Sequence, residues 1–439
     1  MSTAETCLPI GFEKRCFLNR AFTAVTHLRA GEEATTLLFA ANVFVLLASY
    51  YLLKTVREAL ILSEAGAAVK SYSAAGQALL LLGLIPAYSH IASRVTRAKL
   101  ITGVSLFFIS HLAIFYLMGN AGFHIGVPFF LWVGIFNVLV IAQFWSFAND
   151  MHDSESGKRI FPIIGIGSSL GAWAGARLAS RLFTFLDPYQ LMLVAAVGLF
   201  TSIILARRTD AKFEPRPGPC AILPTSKGGF GLVLSSRYLL LIALMVLIFN
   251  LVNSLGEYML GEMVVAQARA SVAAGVIDSS QVRAAIGSFY GGFFGWVNLV
   301  ALLLQIFVVS RLFRYIGARG ALFVLPCIAL GSYSLMAVLP VLGVVEIAKV
   351  LENSSDYSIQ NTARHALFLL TSPEAKYKAK AAIDTFFWRV GDMLQAGIVL
   401  AGAHFAFTTR QYALINIALV GVWLILIVGI FCEHKRLEE

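Results

Sequence analysis

Apolar residues occur along this chain in blocks broken by short polar or basic stretches, and each block is about 20 residues or longer, the length a helix needs to cross a hydrocarbon core of roughly 30 Å. Backbone groups in lipid must be satisfied within the segment, so such blocks predict helices. The predicted spans are 36–61, 72–92, 99–119, 127–149, 160–183, 189–207, 237–259, 285–311, 319–340, 342–368, 381–404 and 411–432. Between the sixth and seventh lies "RRTDAKFEPRPGPCAILPTSKGGFGLVLSSR", which is rich in Pro, Gly and basic residues and cannot span. The expected organisation is a tail at 1–35, a six-helix bundle at 36–207, a linker at 208–236, a second six-helix bundle at 237–432 and a tail at 433–439.

Composition agrees with this pattern. Of 439 residues, 58% are hydrophobic and 13% charged, with mean hydropathy +0.78. Soluble domains sit near 45–50% apolar and roughly 25% charged. The fold class is therefore an all-α membrane protein of twelve transmembrane helices. A net charge of +10 would suggest a nucleic-acid partner in a soluble chain. Here the basic residues fall on alternate loops, and no nucleic acid is expected. With the N-terminus inside, the inner loops carry Arg94, Arg97, Lys99, Lys158, Arg159, Arg207, Arg208, Arg311, Arg314, Arg319, Lys376, Lys378 and Lys380. The outer ones carry few: Lys70, Arg181, Arg269, Arg283 and Arg410. That asymmetry places both termini in the cytoplasm. Residues 1–33 have no basic start followed by a cleavable apolar run, so they read as a cytoplasmic tail. Five scattered cysteines show no CxxC spacing, which points to neither a disulfide framework nor a metal site. No cofactor is expected.

The two halves echo each other. "HIASRVTRAKLITG" follows the second span and "FVVSRLFRYIGARGALF" the eighth. Two six-span halves about a central loop resemble the layout of major facilitator transporters. The fifth span holds Gly167, Gly171 and Gly175 at four-residue steps, which let two helices approach closely, either as a static seam or as a sliding contact. A phosphate loop is absent: in the stretch ending "SESGKR", His152 stands where the first Gly should be and Arg159 where Ser or Thr should be.

Ionisable groups inside a span are costly and mark partners or water-filled cavities. Lys54, Arg57 and Glu58 share one face of the first span. The seventh span carries Asn250, Asn253 and Glu257 at three- and four-residue steps. In the tenth, Lys349, Asn353, Tyr357 and Gln360 form one polar stripe, extended by Glu346, Glu352, Asp356 and Arg364. Arg389 and Asp392 lie in the eleventh span. Lys54 and Arg57 could instead snorkel to the interface, and Asn250 could simply bond a neighbouring helix. No Ser/His/Asp arrangement and no HExxH motif indicates an enzyme.

Several stretches resemble the ATP/ADP translocases of bacteria and plastids, over about residues 36–405. They are "YYLLKTVREALIL", "FWSFANDMHDSESGKRIFPIIGIGSSLGAWAGA", "IFNLVNS", "IGSFYGGFFGWVNLVAL" and "KVLENSSDYSIQNTARHALFLLTSPEAKYKAKAAIDTFFWRVGD". The chain departs from that family in the seventh span. Asn253 stands where a Glu is typical, and Glu257 where a Lys follows, which reverses the local charge pattern. The resemblance implies a major-facilitator-like antiporter of the bacterial inner membrane that exchanges ATP and ADP, or a related phosphorylated nucleotide, by alternating access. In that reading Lys54 and Arg57 bind phosphate, Glu58 holds Lys54 when the site is empty, and Lys349 completes a clamp across the cavity. Asn250, Asn253 and Tyr357 contact sugar or base, Asn353 also binds substrate, and Glu257, Glu352 and Arg364 act in charge balance or coupling. A proton-coupled transporter of another organic anion, with Glu257 or Glu352 carrying the proton, and a non-transporting scaffold or sensor remain open. The partners expected are a small anionic molecule and the lipid bilayer, with a monomer plausible and the oligomeric state open.

Overall fold

The computed structural model describes residues 33–92, 94–152, 154–211, 229–372 and 378–438. The predicted tail at 1–32, most of the linker, and the middle of "SPEAKYKAK" lie outside them. Helix dominates the described residues: α1 Glu33–Glu64, α2 Gly66–Ala92, α3 Arg97–Asn120, α4 Gly126–Met151, α5 Ser154–Leu182 and α6 Pro188–Asp210, then a short helix Gly229–Ser235. There follow α7 Arg237–Ala273, α8 Ser279–Ala321, α9 Val324–Val338, α10 (342–367), α11 (380–404) and α12 Thr409–Glu438. Eight of them are long and apolar enough to cross a membrane: α1–α4, α6–α8 and α12. The others are shorter, interrupted or rich in Gly, Ser and charge.

Local chemistry starts and stops these helices. Asp187 and Gln190 form a capping box ahead of Pro188 at the start of α6, and Asp278 with Gln281 does the same for α8. Both satisfy N–H groups that have no partner within the helix. Gly66, at φ +83, ends α1 and reverses the chain with no longer loop, because glycine takes this left-handed conformation without a Cβ penalty. The second helix therefore begins six residues before the predicted 72. It takes in Lys70, which the sequence placed in an outer loop.

π-turns interrupt α4 at Asn137–Ile141, α8 at Gln305–Val309, α10 at Asp356–Gln360 and α11 at Ile383–Phe387. Each inserts a residue into the helical ladder and re-aims the side chains beyond it.

Within 33–210, α1 packs on α4, α5 and α6, and α3 on α6. Within 229–438, α7 packs on α11 and α12, and α9 on α10 and α12. The two sets meet through α5 with α8, α1 with α8, and α2 with α7 and α11. The α1–α5 seam uses the predicted glycines: a Cβ on Gly167, Gly171 or Gly175 would overlap the main-chain carbonyls of Ala40, Phe44 and Ala48. A second, unpredicted seam runs between the sets. Gly287 of α8 packs against Phe183, just past the end of α5, and Gly291 and Gly295 against Ser180 and Arg177 of α5. Large apolar side chains such as Leu79, Leu117, Phe200 and Ile425 cover the outside, which suits lipid and not water.

Candidate functional site

Two cavities lie between the helix sets and meet at Tyr357. One, of about 210 Å³, is lined by Lys54, Arg57, Glu58, Lys70, Glu257 and Asn353, with Phe294, Asn253 and Tyr357 completing its wall. The other, of about 540 Å³, reaches toward the N-terminal end of α1 past Tyr51, Pro162, Ser169, Asn298 and Asn361. Tyr357 is carried by the π-turn of α10, which is how one side chain borders both spaces.

Lys54 is unlike the other cations of the first cavity. Its Nζ sits 4.2 Å from the centroid of the Phe294 ring and 5.2 Å from that of Tyr51, and donates to the Tyr357 hydroxyl at 3.4 Å. Among the described residues no carboxylate lies within 4.0 Å of it. The aromatic faces hold the ammonium without cancelling its charge. Glu58, expected to hold Lys54, pairs elsewhere: with Arg57 Nη2 at 2.5 Å and with Lys70 Nζ at 2.7 Å. The i, i+4 spacing puts Lys54 and Glu58 on one face, but Lys54 points across to α8 and α10 while Glu58 faces α2. Arg57 also stacks over Phe130, 4.6 Å from the ring centroid.

The opposite wall belongs to α7 and α10. Glu257, 22% exposed, accepts from Asn353 Nδ2 at 2.8 Å and stands 3.7 Å from Lys349 Nζ. Lys349 does not reach the cavity. It is 0% exposed, donates to Asn253 Oδ1 at 2.9 Å and pairs with Glu352 at 3.1 Å. Glu352 in turn accepts from the Tyr333 hydroxyl at 2.9 Å. The expectation of Lys349 as a clamp across the cavity is therefore corrected in this structure: Glu257 of α7 and the buried Glu352 of α10 claim its charge. Gly256 permits this arrangement, since a Cβ there would strike the Tyr333 hydroxyl and come within 3.0 Å of Lys349 Nζ.

Besides Lys349 and the buried Glu352, two more expected site residues lie away from the cavity. Asn250 donates to the Trp388 carbonyl and to Asp392 Oδ1, both at 2.8 Å, and so ties α7 to α11. Arg364 stacks over Trp388 and lies 3.9 Å from Asp384, tying α10 to α11. Gln360 is buried instead of continuing the polar stripe, because the π-turn shifts the register after Ser355. Asn253, Asn353 and Tyr357 do line the cavity. Lys70, Phe294, Ser71 and Gln395 line it too and were not predicted. The signal for Lys70 was Gly66, whose turn brings the helix start forward.

At the C-terminal end of α1, where a further cavity of about 580 Å³ is lined by Ser63, Arg269 and Arg283, direct contacts tie the helix sets together. Gln395 donates to Ser71 at 2.9 Å, Ser180 to the Ser288 carbonyl at 2.9 Å, and Arg283 to the Tyr189 hydroxyl at 3.0 Å while lying 3.5 Å from Glu64. Each of these contacts joins one helix set to the other. The charged cavity is thus closed off on one side by these contacts and borders a larger space at Tyr357 on the other.

No family model matches the chain. It is similar to ADP,ATP carrier protein 1 of Chlamydia pneumoniae, 23% identical over 343 residues that cover 66% of this chain and 63% of that protein. It is also similar to ADP,ATP carrier protein 3 of Rickettsia bellii, 20% identical over 367 residues and 68% of each chain. The match thus spans less than two thirds of the length of the Chlamydia pneumoniae relative. Among solved structures, a POT family transporter in complex with 5-aminolevulinic acid superposes with TM-score 0.63 at 14% identity, covering 95% of this chain and 100% of that one. A nucleoside transporter superposes with TM-score 0.59 at 11% identity, covering 91% and 99%. The chain has the helical fold of these membrane transporters.

Proposed function

We propose that this chain is a multi-pass transporter of the bacterial inner membrane that exchanges adenine nucleotides, or a closely related phosphorylated nucleotide, by alternating access. In this reading α5, α9, α10 and α11 complete twelve spans, residues 36–207 and 237–432 form two six-helix halves, and both termini are cytoplasmic. The sealed end then faces outward, and the larger cavity opens toward the cytoplasm. Rocking of the halves about their shared seams would expose the cavity to each side in turn. No covalent chemistry is involved.

The observation that carries the proposal is Lys54, a cation without a carboxylate partner among the described residues, facing an interior cavity beside Arg57. A charge held there is costly unless a ligand completes it. Phosphate oxygens do so: they accept from an ammonium as a point charge and from a guanidinium in a fork. The similarity to the ADP,ATP carriers of Chlamydia and Rickettsia supports the nucleotide as the molecule that brings them.

The test is uptake of labelled ADP and ATP into proteoliposomes, with and without unlabelled nucleotide inside. Uptake that needs internal nucleotide and is lost in Lys54→Ala is expected. Absence of nucleotide uptake by folded native protein would overturn the reading.

A further inference from the structure

The charges of the first cavity are not mixed. They are sorted by wall. On the α1–α2 side, Lys54, Arg57 and Lys70 face a single carboxylate, Glu58, which leaves two positive charges in excess. On the α7–α10 side the one charged lining group is Glu257. Behind it Lys349 stands between Glu352, at 3.1 Å, and Glu257 itself, at 3.7 Å, so that the three groups together carry one net negative charge. With these groups ionised, the lined cavity carries a net charge of one positive unit, arranged as a dipole.

A buried site binds best what it can neutralise, because uncompensated charge is poorly solvated in the interior. A polyanion would satisfy Lys54 and Arg57 with its first phosphate group and then bring further negative charge toward Glu257. Lys349 cannot turn to meet it, since it is fully buried and held by Glu352 and Asn253. Glu257 is itself fixed by the Asn353 amide. It therefore presents a carboxylate suited to hydrogen-bond donors, such as the hydroxyls of a sugar or the amino group of a base.

We infer that this cavity takes a ligand anionic at one end and donor-rich at the other, with low net charge, and that Glu257 is the residue that sets the limit. Named in terms of the nucleotide reading, on which this part rests, the site prefers AMP and ADP to ATP. Glu257 discriminates by repelling the outer phosphates.

Two measurements test it. In the first, labelled ADP uptake into proteoliposomes is competed by unlabelled AMP, ADP and ATP without added divalent cation, for the native protein and for Glu257→Gln. ATP is expected to compete about tenfold less well than ADP in the native protein, the scale of one added unit charge across such a cavity. In Glu257→Gln that gap closes. The Gln oxygen still accepts from Asn353, and Lys349 keeps Glu352, so the variant retains the packing of this wall. In the second, the thermal stability of both purified proteins is followed with phosphate, pyrophosphate and tripolyphosphate. Native protein is expected to gain stability in the order phosphate, pyrophosphate, then tripolyphosphate least, and Glu257→Gln to lose that order. Absence of nucleotide uptake together with an ordered thermal series would remove the nucleotide reading and leave the charge limit standing. Native protein that takes ATP as well as ADP, or a variant with the native order in both assays, would overturn the inference.

Discussion

Lys70 and Glu58 form an ion pair of 2.7 Å between two helices that are consecutive in the chain. Both side chains are largely buried, and Glu58 is shared with Arg57. The left-handed turn at Gly66 makes this pair, by starting α2 directly after α1 and bringing its first turns back against the same face. The pair converts the positive wall of the cavity from three loose cations into a fixed cluster with Lys54 standing apart.

Removing the shared carboxylate should therefore be severe. Glu58→Gln leaves Arg57 and Lys70 close together without a counter-charge, and breaking a buried pair in this way costs roughly 3–5 kcal/mol. A large fall in melting temperature of the detergent-purified protein is expected, with partial recovery in Glu58→Gln/Lys70→Met. Unchanged stability of the single variant would show that Glu58 does not hold the two cations together.

Two lysines on facing helices should respond in opposite ways. Lys54→Met removes a charge that has no carboxylate partner, so the protein stays stable while nucleotide exchange is lost. Lys349→Met leaves Glu352 buried without its cation and should destabilise by several kcal/mol, about 3–5 on the usual scale. Adding Glu352→Gln should restore most of that loss. Melting curves and uptake measured on the same preparations separate the two roles, and equal loss of stability in both single variants would refute the distinction.

The seam between α1 and α5 leaves no room for side chains. Gly171→Val would drive a branched side chain into the Phe44 carbonyl, and overpacking of this kind typically costs about 1–3 kcal/mol. Gly76→Ala, where a Cβ meets nothing within 4 Å, should be neutral. Comparable folding yields and melting temperatures for the two variants would contradict the close approach.

The seam between α5 and α8 offers a direct probe of alternating access. A Cβ placed on Gly292 lies 4.0 Å from the Ser180 hydroxyl oxygen, so cysteines at 180 and 292 would adjoin across this seam. Oxidation of Ser180→Cys/Gly292→Cys should lock the sealed end and stop exchange, and a reductant should restore it. Full activity in the oxidised, cross-linked protein would mean that this end need not open.

The sequence by itself determined the class of this protein. A hydrocarbon core imposes one length and one backbone solution on every span, so the apolar blocks marked where helices lie, although α7 runs to Ala273 and α8 to Ala321, 14 and 10 residues past the predicted ends. The cost of burying charged and polar groups made Lys54, Arg57, Glu257 and Asn353 stand out against that background, and all four line one cavity. Which charge answers which was decided only in three dimensions. Lys54 and Lys349 look equivalent as lysines in polar stripes, yet one meets aromatic rings and the other two carboxylates, because long side chains choose partners from whichever helix lies opposite. Lys70 entered the site through a single positive φ at Gly66, and the stripe of α10 was redirected by one extra residue in the π-turn at 356–360. Asn250 and Arg364 had the composition of site residues but were claimed by Asp392, Trp388 and Asp384 on α11. A helix announces its polar face in its own spacing, whereas the neighbour that face will meet is set by the packing of helices far away in the chain.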